Sequence, residues 1–264
     1  MFVNYIIKRI KKKNKNGYIT SSGRNFAGII CVQHKGGGLK KNVYNIDFFR
    51  RLNNYGIVFK IFKVSFYSSF IGLILYQNGL SSYILLSNNV IIGDLIYSGT
   101  LLKKENKKEK ILLGFALPLF YMNLLSMIHN IELYPFSGSS LMRAAGTSTF
   151  ITTKYKHKVS LKLKSGWNVV VSKNSICSVG CVANPQHQFY NYKKAGFKRN
   201  LGIRPTVRGV AKNPCDHPHG GGEGRKSPPV AARSPWGWLT KGTPTKKKKY
   251  ELIKKKKYKI IRKN

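Results

Sequence analysis

Residues 209–224 read "GVAKNPCDHPHGGGEG", placing Cys215, Asp216, His217 and His219 beside three consecutive glycines. Three chemistries fit those side chains. His217 oriented by Asp216 could serve as a general base, because an imidazole titrates near neutral pH. Cys215, His217 and His219 could ligate a metal. Gly220, Gly221, Gly222 and Gly224 could instead let the backbone approach a ligand closely and turn N–H groups toward phosphate oxygens. In that third case His217 and His219 would stack on bases or bond 2′-hydroxyls, and Arg225 and Lys226 would hold phosphates. Pro214 and Pro218 stiffen the loop, and Glu223 would face a base amino group, an arginine or a hydrated ion.

The rest of the chain weighs against an enzyme. With 48 Lys+Arg against 8 Asp+Glu and a formal net charge of +40 over 264 residues, a compact chain repels itself unless a polyanion completes it. Nucleic acid is the commonest such partner. Cations occur at Lys8–Lys15, Lys103–Lys110 and Lys246–Lys263, so contact is expected along the whole length. Eight carboxylates leave little for a catalytic metal, and no HExxH, GxSxG or GxxxxGK[ST] pattern is present. The four cysteines, Cys31, Cys177, Cys181 and Cys215, are too dispersed for a disulfide framework and read as reduced thiols.

Hydrophobic residues at 42% and aromatics at 12% exceed what a wholly disordered basic chain carries, so one or two modest domains are expected. Residues 1–41 read as a basic extension. The first residues run apolar and then lysine-rich, the reverse of a secretory signal, and suit either a short presequence or a basic arm set into RNA. From Asn42 short β-rich runs begin. Asn78-Gly79 between two apolar runs predicts a hairpin, and Gly93-Asp94 a further turn. "KKENKKEK" (103–110) reads as a linker. Residues 111–128, "ILLGFALPLFYMNLLSMI", approach the length of a membrane span; Pro118, Asn123 and Ser126 interrupt them, and consecutive buried strands fit equally. Val159, Leu161 and Leu163 alternate with Ser160, Lys162 and Lys164, and Ser165-Gly166 turns the chain into Trp167–Val171. From Pro185 onward Gly, Pro, Lys and Arg dominate, with no apolar pattern able to support a core. The fold expected is mainly β: two small barrels, OB-like over 42–104 and SH3-like over 105–184, with basic extensions at 1–41 and 185–264.

"GIRPTVRGVAKNPCDHPHGGGEGR" (202–225) and "SPWGWLTKG" (234–242) resemble the C-terminal signature of the universal large-subunit ribosomal protein two family. Further segments resemble the family in its own order: "SSGRNFAGII" and "HKGGG" within 21–38, "YNIDFFRR" (44–51), "IIGDLIYSGT" (91–100), "HNIEL" (129–133), "LMRAAGTS" (141–148), "LKLKSG" (161–166) and "SVGCVAN" (178–184). The resemblance implies an OB-like domain, an SH3-like domain and a C-terminal extension embedded in large-subunit rRNA. It implies that 111–128 are strands opening the second barrel, with no membrane insertion.

What the resemblance implies about function is a structural, non-enzymatic ribosomal protein. It would be a monomer within the ribosome, touching neighbouring ribosomal proteins and, at the subunit interface, the small subunit. It would support assembly of the peptidyl-transferase region, subunit association and tRNA binding. The rRNA contacts implied are Arg24, His34, Lys35, Arg50, Arg51, Arg143, Arg204, Arg208, His217, His219, Gly220, Gly221, Gly222, Arg225, Lys226, Trp236 and Lys241. Asp216 and His217 are implied in support of the peptidyl-transferase region, with His217 organising structure while RNA performs the chemistry. No cofactor or protein-held metal is expected, and Mg2+ would enter only through rRNA. The chain departs from the family pattern at "PFSGSS" (135–140), which replaces a glycine- and lysine-rich stretch, and at its lysine-rich tail. The Ile, Asn, Lys, Tyr and Phe bias and "SPWG" place the expectation in a mitochondrion ahead of a plastid or a bacterial cytoplasm.

Overall fold

The computed structural model describes residues 15–100, 111–222, 230–243 and 252–253. The linker expected at 103–110, Arg225, Lys226 and the lysine runs at both ends lie outside them. The chain is mainly β. Its described residues form two compact units, one within Met1–Tyr18, Lys40–Asn191 and Lys249–Asn264, the other within Ile19–Leu39 and Tyr192–Lys248.

The first unit holds every strand of the described residues: β1 (Lys15–Gly17), β2 (Asn42–Tyr44), β3 (Asn54–Lys63), β4 (Phe70–Tyr76), β5 (Ser81–Leu85), β6 (Leu95–Ser98), β7 (Ala116–Pro118), β8 (Met127–His129), β9 (Ile131–Glu132), β10 (Ser139–Leu141), β11 (Thr149–Lys154), β12 (Lys158–Lys162), β13 (Asn168–Ser172), β14 (Ile176–Val179) and β15 (Leu252–Ile253). Eleven of them follow one hydrogen-bonded order, β15-β13-β12-β11-β8-β14-β7-β6-β3-β4-β5. The two segments expected as separate barrels are thus joined where β6 and β7 run parallel at Ser98 and Ala116. The described strands form an open order rather than closed rings.

β4, "FIGLILY", is apolar throughout because both its faces are covered. Ile71 and Leu73 pack with Val64, Tyr83 and Leu85. Ile74 and Tyr76 point the other way, into Val58, Ile84, Leu86 and Ile96. Gly72 has no room for a side chain, since a Cβ there would lie 2.6 Å from Leu86 Cδ2. β4 and β5 form an antiparallel hairpin whose turn places Gly79 at φ 75°, as Asn78-Gly79 predicts. The second predicted turn also forms: Asp94 Oδ2 accepts from Ile91 N–H at 2.9 Å and Gly93 has φ 98°.

Residues 111–128 make a turn, β7, two further turns and the start of β8. Leu117, Leu119, Met122 and Ile128 are fully buried in the core built on Ile151, Val159, Leu161, Val169 and Val171. No described helix is long and apolar enough to cross a membrane. β12 and β13 pair in register from Lys158–Ser172 to Lys162–Asn168, closed by the turn at Gly166. Val159 and Leu161 point inward as their alternation requires, but Ser160 is also buried, 5% exposed. Its carbonyl accepts from Thr152 Oγ1 at 3.0 Å, so β12 is covered on both faces at its centre.

The second unit brings together segments read as separate extensions. Residues 34–39 run alongside 200–205: Arg204 N–H donates to His34 O at 3.0 Å, Gly36 N–H to Gly202 O at 3.0 Å and Leu39 N–H to Asn200 O at 2.9 Å. Gly38 permits this approach, because a Cβ there would lie 2.7 Å from Gly202 N. One short helix, α1 (Ala195–Asn200), contains no buried residue. With so little apolar burial, backbone pairing rather than a core holds this unit's shape.

Candidate nucleic-acid interface

The loop at 209–222 is knotted by its own backbone. A short 3-10 turn, Gly209–Ala211, enters it. Asn213 O then accepts from Asp216 N–H at 3.0 Å and His217 N–H at 3.2 Å, Gly220 N–H donates to His217 O at 2.8 Å, and Gly221 N–H returns to Lys212 O at 3.1 Å. Gly220 is obligatory here: a Cβ would stand 2.3 Å from Asn213 O. Gly221 and Gly222 follow at φ 83° and 96°, a region that disfavours other residues. Among the described residues nothing lies within 4 Å of the Cβ position of Gly222, and Gly221 and Gly222 are both exposed.

The two histidines are structural members of this knot. His217 is 8% exposed, covered by loop atoms rather than by a core. Its Nδ1 accepts from His219 N–H at 3.0 Å, which leaves the proton of the neutral ring on Nε2. Desolvation lowers its pKa, aided by His219 and Lys212 close by. The two rings lie 4.7 Å apart, tilted by 56°. His219 Nε2 accepts from Arg233 N–H at 3.0 Å, tying the loop to the "SPWGWL" turn, where Ser234 N–H donates to Trp238 O at 2.8 Å. Asp216 and Cys215 are exposed. The partner of His217 Nδ1 is the His219 N–H, not the Asp216 carboxylate. Among the described residues no three His, Cys, Asp or Glu side chains gather as a metal site.

The second unit also exposes Arg204, Arg208, Trp236 and Lys241. Arg24 is exposed in the hairpin whose Cys31 N–H donates to Gly23 O at 2.9 Å. Lys35 is exposed and pairs through its backbone with Ile203, while His34 Nδ1 meets Pro205 O at 3.0 Å. These side chains, with Gly220, Gly221, Gly222, His217 and His219, fall in one unit. In the first unit Arg143 is exposed, its guanidinium carbon 3.8 Å above the Phe48 ring.

Arg50, expected at the RNA, turns inward instead. It is 3% exposed, and its guanidinium donates to Ser98 Oγ, Gly114 O, Ser178 Oγ and Tyr97 O at 3.0–3.2 Å. Asp47 Oδ1 accepts from Arg50 N–H at 2.9 Å, closing the turn that sends the side chain inward at φ 50°. Arg50 is an internal tie, unavailable to RNA. Arg51 is also largely engaged: its Nη2 donates to both oxygens of the fully buried Glu132 at 2.9 Å. A sequence signal for Glu132 existed, since a lone acid inside the apolar run "HNIEL" must find a buried cation or donors.

Two family models match the chain: "Ribosomal Proteins L2, RNA binding N-terminal domain" over residues 8–98, and "Ribosomal Proteins L2, C-terminal domain" over 113–237. The chain is similar to large ribosomal subunit protein uL2 of Wolbachia from Brugia malayi, with 42% identity over 88% of this chain and 82% of the relative. It is 41% identical to that of Wolbachia from Drosophila simulans, over 90% of this chain and 85% of the relative. With that of Cereibacter sphaeroides the identity is 39%, over 88% and 81%. An interface of exposed cations around a backbone-presenting loop, carried by both matched domains, is the chemistry of an RNA-bound scaffold, and this chain belongs to the ribosomal protein L2 (uL2) family, structural constituents of the large ribosomal subunit.

Proposed function

We propose that the chain grips large-subunit rRNA through the second unit, with the 209–222 loop as its most specific contact. Through it the chain supports the peptidyl-transferase region, subunit association and tRNA binding. The observation that carries this reading is the Gly220–Gly222 segment: a tightly tied loop running into exposed, left-handed backbone at Gly221 and Gly222, in the unit that also exposes Arg204 and Arg208. Such a surface lets ribose and phosphate come up against the backbone of Gly221 and Gly222 with no Cβ in the way, while arginines set register. His217 holds the loop's shape through His219 and transfers no proton. Mg2+ reaches the site only as part of the RNA. The chain is a monomer among neighbouring ribosomal proteins, and it touches the small subunit at the subunit interface.

The compartment we propose is the mitochondrion, supported by the Ile-, Asn-, Lys- and Tyr-rich composition. Sedimentation of tagged protein tests both parts. Co-migration with large ribosomal particles in a mitochondrial fraction is expected. Co-migration only with particles of a bacterial cytoplasm or plastid would reject the compartment, and absence from every ribosomal particle would reject the function.

A further inference from the structure

The turn Tyr134-Pro135-Phe136-Ser137 is built against its own sequence. Ser137 N–H donates to Tyr134 O at 3.1 Å, Pro135 occupies the second position and Phe136, in the third, has φ 70°. That third position of such a turn favours glycine, because a Cβ is strained at positive φ. Phe136 is nonetheless there, and 75% exposed. A large apolar ring held mostly in solvent by a strained backbone gains little from burial, which leaves its exposed face to a partner.

One face of the ring is backed. The Arg51 guanidinium carbon sits 3.9 Å from the ring centroid. Arg51 is itself pinned by the 2.9 Å contacts of Nη2 with both oxygens of Glu132, which is 0% exposed and also accepts from Gly138 N–H at 3.2 Å and Ile176 N–H at 3.1 Å. Buried carboxylate, guanidinium and ring form a stack with its outer end open. Two and three residues on from Phe136, the Cβ position of Gly138 lies 3.4 Å from the half-exposed Phe49 ring, and Ser139 O accepts from Nη1 of the exposed Arg143 at 3.5 Å. The Arg143 guanidinium lies over Phe48.

We propose that Phe136 is a stacking platform for one unstacked nucleobase of the RNA, with Arg143 taking an adjacent phosphate. The inference rests on the RNA-binding reading above and adds a site in the first unit that the loop at 209–222 does not include. A base is the occupant the surroundings select. The outer ring face is flat, the cation behind it strengthens π-stacking, and a chain of net charge +40 recruits polyanions rather than apolar protein surfaces.

Large ribosomal particles carrying Phe136→p-benzoylphenylalanine should yield, on irradiation, an adduct of this chain with RNA. Particles carrying the same group at Val207, between Arg204 and Arg208, report on the RNA reading itself. An RNA adduct from position 207 but only a protein adduct, or none, from position 136 overturns the platform alone. No RNA adduct from either position overturns both. In a second measurement wild-type and F136G chains, differently tagged, compete for entry into particles. Glycine relieves the strained turn, so F136G should melt no lower than wild type yet be outcompeted about tenfold. Equal incorporation, with or without a lower melting temperature, would make Phe136 a structural cover and end the proposal.

Discussion

The Arg50 guanidinium and the Ser178 hydroxyl meet at 3.2 Å inside the first unit, although 128 residues separate them. The same guanidinium reaches Ser98 Oγ and Tyr97 O on β6 and Gly114 O just ahead of β7. It therefore crosses the place where the two β regions join. Removing it leaves carbonyls and hydroxyls buried without their donor.

Arg50→Met is accordingly expected to destabilise the purified chain by about 3–5 kcal/mol, as breaking buried charged networks does. Urea unfolding reads this directly. Burial lowers the pKa of the Arg50 guanidinium, opposed in part by Tyr76 and Asp47. A stability change under 1 kcal/mol would remove Arg50 from its role as the tie.

His129 makes stability depend on pH. It is fully buried, with Nδ1–H donating to Gly180 O at 3.0 Å; burial, joined by the nearby Arg50 and opposed by the Gly180 bond, lowers its pKa to about 4. The unfolded imidazole, titrating near 6.5, binds a proton that the folded one refuses. Stability from this residue is thus present above about pH 6.5 and is lost as pH falls toward 4, by about 3 kcal/mol in all. His129→Gln should flatten the curve over that window. Parallel curves for the two proteins would contradict the assignment.

Surface arginines should act on RNA affinity rather than on folding. Arg143→Ala, Arg204→Ala and Arg208→Ala are each expected to reduce the slope of log affinity against log salt by about one, with unchanged unfolding curves. Arg50→Met should do the opposite, altering unfolding and leaving the slope of its folded fraction alone. Binding of the rRNA domain at graded salt measures both. Salt-independent wild-type binding would sink the phosphate-contact mechanism.

Gly209 positions His217 by being absent beyond Cα. A Cβ there would lie 2.5–2.7 Å from three atoms of the imidazole, so Gly209→Ala must displace the ring, at a local cost of about 1–3 kcal/mol. The His217 ring is then expected to gain solvent, and its pKa to rise toward the ordinary value on NMR titration. Incorporation into large ribosomal particles should fall, while β-core melting holds. An unmoved titration would show that the loop yields elsewhere.

The sequence by itself determined what is local. The Asn78-Gly79 and Ser165-Gly166 turns follow from positive-φ chemistry, and the inward placement of Val159 and Leu161 from the two-residue period of a strand. The cationic excess pointed to a polyanion, and the order of motifs to a ribosomal family. Tertiary structure decided which cations are free. Arg50 and Arg51 are adjacent and chemically alike, and neither composition nor periodicity distinguishes them from Arg204 or Arg208. Their fates were set by groups far along the chain, Ser178 for one and Glu132 for the other, because a buried charge is tolerated only where distant polar atoms converge on it. Gly38 against Gly202 carries the same lesson: the partner that requires a glycine lay 164 residues away, beyond any local pattern.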